Sequence, residues 1–187
     1  MKREEIILAL MAGDPVVGIT RLQKLLFLVE HEGDLKPSND DFDFEAYKFG
    51  PVSKKLYDDI CLLRELGLIE VNRKQTVQEI DPNTDPMQMD ATELLSPSAL
   101  GTTSDYDDDI DESDEEGRES RELDVYRLTN KGHELLRSNG LLESLDYKKI
   151  ERVKKRHGGR SLIDLLRYVY SNFESFATES EITDKVR

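Results

Sequence analysis

The sequence predicts a mainly α fold with a small β hairpin, completed by a C-terminal helical extension. Two stretches carry that reading. In LRELGLIEV, from Leu63 to Val71, a helix stops at Gly67 and the apolar residues Leu68, Ile69 and Val71 run on as a strand. In YRLTNKG, from Tyr126 to Gly132, Val125, Tyr126 and Leu128 form a second strand. That strand leads into Thr129, an N-cap residue for a helix carrying Leu135 and Leu136. These are the two sides of a winged-helix hairpin, with a long acidic insertion where the wing tip belongs.

Ile6, Ile7, Leu10 and Met11 give a first helix, which ends at Gly13, Asp14 and Pro15. Thr20 and Gln23 form a capping box for a second helix, with Leu22, Leu25, Leu26 and Val29 on one face. Phe42, Phe44 and Ala46 alternate with acidic residues, the spacing of a strand with one buried face. Gly50 and Pro51 open a third helix, because proline is tolerated in the first helical turn, and Leu56, Ile60 and Leu63 line its core side. After the hairpin, helices are expected near 130–139, 146–157, 161–172 and 179–186. Ser161 with Asp164, and Thr178 with Glu181, start the last two. Leu25, Leu26, Phe49, Leu56, Ile60 and Leu128 are the expected core residues.

Charge divides the chain. Residues 81–122 hold 15 acidic residues against Arg118 and Arg121, a net of −13, whereas the remainder nets −1. The low pI therefore belongs to one segment and says little about what the rest binds. Pro82, Pro86, Pro97 and the run SDYDDDIDESDEEG, from Ser104 to Gly117, combine like charges with little apolar surface. Such a stretch is expected to be a disordered loop, either a solvated linker or an acidic strip that docks on a basic surface. The expected organisation is a winged-helix-type domain at 1–80 with 123–140, an acidic insertion at 81–122 and a helical extension at 141–187.

The single cysteine, Cys61, excludes an intramolecular disulfide and reads as a small packed thiol beside Ile60. No apolar stretch approaches the roughly 20 residues of a membrane span, and the N-terminal apolar run is short and preceded by mixed charges. A cytoplasmic protein is expected.

RLQKLLFLVEHE at Arg21 to Glu32, followed by FEAYKFGPVSKKLYDDICLLRELGLIE at Phe44 to Glu70, resembles the SocA-like antitoxin family, or Panacea domain, and related winged-helix-type proteins of prokaryotes and their viruses. The resemblance rests on the KLLFL helix, the aromatic strand before Gly50-Pro51, the Leu56-Tyr57 pair and the GLI after the third helix. YRLTNKG and the late helix around Leu165 to Tyr170 extend it over about two-thirds of the chain. It implies a winged-helix-type fold and a binding protein, an antitoxin that captures a toxin or an adaptor. The acidic insertion departs from the family's pattern.

The residues themselves offer two basic surfaces. At the start of the third helix stand Lys54 and Lys55, but Asp58 and Asp59 follow one turn later. About 17 residues separate the second and third helices, against roughly 3 to 4 in a helix-turn-helix. The stronger signal is KKIERVKKRHGGR, from Lys148 to Arg160, which nets +6. Lys148, Arg152, Lys155 and Arg156 recur there at helical spacing, with Lys149 and Arg160 nearby. This face is either solvated, a contact for phosphates or an acidic partner, or a dock for the chain's own acidic loop.

Nothing in the sequence points to catalysis. His31, His133 and His157 are scattered, no glycine-rich phosphate loop occurs, and no metal site or cofactor motif is present. The expected function is regulation through binding, either as a SocA-like antitoxin or adaptor that captures a protein or as a transcriptional regulator that binds DNA. A homodimer is compatible with both.

Overall fold

The computed structural model describes residues 1–47, 50–77 and 120–176. Its helices are α1 (Arg3–Met11), α2 (Ile19–His31), α3 (Lys55–Glu65), α4 (Asn130–Ser138), α5 (Leu145–His157) and α6 (Leu162–Asn172). Its strands are β1 (Val16–Val17), β2 (Ile69–Val77) and β3 (Ser120–Leu128), joined as an antiparallel sheet in the order β1-β3-β2. The fold is thus mainly helical with a small sheet. One compact unit comprises Met1–Asn72 with Asp124–Arg187, and a second comprises Arg73–Leu123.

In the first unit α2 is the central helix. Leu22, Leu25, Leu26, Phe27, Leu28 and Val29 are all buried, so apolar packing surrounds it rather than covering one face. α1, α5 and α6 supply that packing, and α5 also meets α1. The segment read from sequence as an extension therefore helps to build the core. Phe27 stacks on His31 at 4.1 Å and receives Phe44, Phe173 and Phe176 edge-on at 4.9 to 5.3 Å, the geometry in which ring edges meet ring faces favourably.

Several starts and stops follow from local chemistry. Thr129 caps α4 by accepting the Gly132 N–H at 3.1 Å. Its hydroxyl also reaches the Gly67 carbonyl at 2.7 Å, and Lys131 Nζ reaches the Leu66 carbonyl at 2.7 Å, so the end of α3 and the start of α4 satisfy each other. Ser161 caps α6 by accepting the Asp164 N–H at 3.1 Å and donates to the Asp164 carboxylate at 2.7 Å.

Other expectations are corrected. β1 has no counterpart among the expected elements, since two residues carry no periodicity, yet Val16 and Val17 pair with Tyr126 and Val125. α2 begins at Ile19 after Gly18, which places Thr20 inside the helix and Gln23 in the core instead of in a capping box. Residues 42–46 form no strand; one bridge pairs Glu45 with Val52, and Asp43 takes a left-handed φ of +50° that breaks extension. The predicted alternation persists in burial, with Phe42 fully buried between exposed Asp41 and Asp43. α3 starts at Lys55 rather than at Pro51, because the Glu45–Val52 bridge holds Val52 extended and the Ser53 hydroxyl accepts the Leu56 N–H at 3.3 Å. Cys61 is exposed, one residue round the helix from the inward-facing Ile60. Phe49, the acidic insertion and the helix expected at 179–186 lie outside the described residues.

Candidate functional site

Two adjacent polar residues of α2 organise the approach to α3. Gln23 and Lys24 are both wholly buried. Gln23 Nε2 donates to the Ser53 carbonyl at 3.1 Å while its Oε1 accepts the Ser53 N–H at 2.9 Å, so one amide side chain reads the backbone of one residue. Lys24 Nζ donates to the Pro51 carbonyl at 2.8 Å. Burial pushes that amine down to about 7. Gly50, at φ +78°, leaves room here: a Cβ would stand 2.8 Å from the Tyr170 ring. α2 at Lys24 and the Gly50-Pro51 segment therefore touch each other, a contact that nothing in their spacing announces.

The first turn of α3 does not present free cations. Lys54 pairs with Glu45 at 3.2 Å. Lys55 pairs with Asp40 at 2.8 Å and with Asp43, and donates to the Asp41 carbonyl at 3.2 Å. The hydrogen bonds to Asp40 and Asp43 hold its ammonium above the ordinary lysine range. Asp59 is also engaged, through two contacts with the Arg3 guanidinium at 2.5 and 2.8 Å. The outward face of α3 instead shows Leu62 and Leu66, one turn apart and 44% and 47% exposed.

On α5 the structure separates the cations that the sequence grouped. Ile150, Val153 and His157 face the core. Lys149 Nζ donates to the Asp34 carbonyl at 2.8 Å, and Lys154 Nζ donates to the carbonyls of Asp14 at 2.7 Å and Ala12 at 3.3 Å, just beyond α1. Arg156 pairs with Glu32. The Arg160 guanidinium lies 4.9 Å over the Tyr168 ring, and its carbonyl accepts from Arg21 at 2.6 Å. The side chains of Lys148, Arg152 and Lys155 are exposed and make no hydrogen bond or ion pair among the described residues.

Glu32 ties the C-terminal ends of α2 and α5 to the middle of α6. Its carboxylate accepts from His157 Nε2 at 2.9 Å and from the Tyr168 hydroxyl at 3.2 Å besides pairing with Arg156. Burial raises the Glu32 carboxyl, but His157, Arg156 and Tyr168 together bring it below its ordinary value. Burial lowers the His157 imidazole, and Arg160 and Arg156 add to that against the opposing pull of Glu32. This junction makes no sequence signal, since its members are 124 to 136 residues from Glu32.

Among the described residues no group of three or more His, Cys, Asp and Glu is arranged to hold a metal ion. No described helix is long and apolar enough to cross a membrane. Compared with protein-family models, curated proteins and solved structures, the chain matches none significantly.

Proposed function

We propose that this chain is a non-enzymatic, cytoplasmic regulatory protein of winged-helix type that captures a protein partner, as the SocA-like antitoxins and adaptors it resembles do. The outward face of α3 carries this reading. Its first-turn lysines are neutralised by Asp40, Asp43 and Glu45, and Leu62 and Leu66 stand exposed on the same helix. A surface with spent cations and exposed leucines suits a desolvated protein contact better than a phosphate backbone. The experiment is affinity purification of the tagged protein from its native host, beside a folded Leu62→Glu/Leu66→Glu variant. A stoichiometric polypeptide that accompanies the first and not the second is the expected result. Equal recovery with both variants removes α3 from the reading.

A second reading, a transcriptional regulator that binds DNA, is favoured by one observation. Lys148, Arg152 and Lys155 are left unpaired on α5 while their neighbours are consumed by structural contacts.

A further inference from the structure

We infer that the solvent pole of α5 is a nucleic-acid backbone interface in which Lys148, Arg152 and Lys155 each meet a phosphate. The inference rests on the DNA reading and assigns the contact to α5 in place of α3. At about 100° per residue, the three side chains fall within roughly 60° of one another, opposite the buried stripe of Ile150, Val153 and His157. Seven residues of helix rise about 10 Å, and phosphates along one strand of a duplex advance about 3.4 Å each. The row thus spans about three such steps, a run of about four phosphates, which lets each of the three cations meet a different one.

The surroundings favour this occupant over a protein or a bilayer. A desolvated protein contact or an inserted membrane anchor draws on contiguous apolar surface, and the one strongly exposed large apolar side chain described on α5 is Leu145, one turn before Lys148 on the same face. Glu151 is exposed beside the row, and Lys155 shares a groove wall with Asp14. Those two carboxylates limit the contact to the outward pole. Arg156 stays with Glu32 and adds nothing to the row.

The test is binding of the full chain to a random-sequence DNA duplex of about 20 base pairs, followed by fluorescence anisotropy between about 50 and 200 mM salt. Three phosphate contacts contribute a salt slope of about −2.7, which corresponds to about 40-fold in affinity over that range. The variant Lys148→Gln/Arg152→Gln/Lys155→Gln should lose that share of the slope with an unchanged thermal transition, since all three side chains are exposed. Arg152→Gln alone should lose about 0.9 and serves if the triple variant fails to fold.

An unchanged slope in the α5 variants overturns the assignment while the DNA reading stands. So does a fall in slope that appears on Lys54→Gln/Lys55→Gln instead. Absence of duplex binding by the intact chain at about 50 mM salt overturns both the assignment and the reading. Vesicles with anionic phospholipid headgroups are run in parallel. Binding to them that the triple variant loses, without duplex binding, overturns the proposal in favour of a lipid surface.

Discussion

Lys24, wholly buried in the central helix α2, holds the Pro51 carbonyl at 2.8 Å and so fixes the segment that leads into α3. Its amine has a folded-state pKa lowered from 10.5 to about 7. Between those values the unfolded chain carries a proton that the folded chain lacks, so stability rises as pH climbs from about 7 to 10.5. Below about 7 both states are protonated and the whole cost of burying the charge is present. Lys24→Met should flatten that rise, as read from urea denaturation at several pH values across the window. A variant that keeps the wild-type slope would show that the pH dependence arises elsewhere.

Gln23 satisfies both the N–H and the carbonyl of Ser53. Gln23→Ala leaves two buried backbone groups without a partner, each costing about 1 to 3 kcal/mol. A total loss of about 2 to 6 kcal/mol is expected in chemical denaturation. A loss under about 1 kcal/mol would mean that water takes over the role of the amide.

Gly132 offers a test in which local and tertiary effects oppose each other. It lies in α4, where alanine is intrinsically better by about 1 kcal/mol. A Cβ there would stand 2.2 Å from the Leu68 carbonyl oxygen, a backbone atom that cannot swing aside. Gly132→Ala should therefore destabilise by about 1 to 3 kcal/mol. A raised Tm would contradict the close approach of α4 to the Leu68 backbone just before β2.

The Glu32–His157 junction predicts acid sensitivity in two windows. The His157 imidazole is lowered from 6.5, so the unfolded state takes up its proton first and stability declines as pH falls below about 6.5. The Glu32 carboxyl is lowered from 4.5, so its contribution is present above that value and is lost as pH falls through its folded pKa. His157→Gln should remove the upper window and retain the lower one. Stability of this variant between pH of about 7 and 5.5 is the measurement, and a wild-type decline there would reject His157 as its source.

Sequence alone determined the elements whose signals are local. The Thr129 cap, the Ser161–Asp164 start, the strand after Gly67 and the inward positions of Leu56 and Leu63 were all legible, because each depends on partners a few residues away or on helical period. It also picked out the basic helix, since charge density needs no fold to be seen. Only the tertiary structure decided that Gln23 is a core amide, 30 residues from its partner, and not half of a capping box. Only it decided that Lys54 and Lys55 are neutralised by acidic residues 9 to 15 positions away, whereas Lys148, Arg152 and Lys155 remain open. The physical reason is common to both. A side chain's charge and polarity are written in the sequence, but whether they are spent inside the protein depends on which distant backbone and carboxylate groups the packing brings within hydrogen-bond reach.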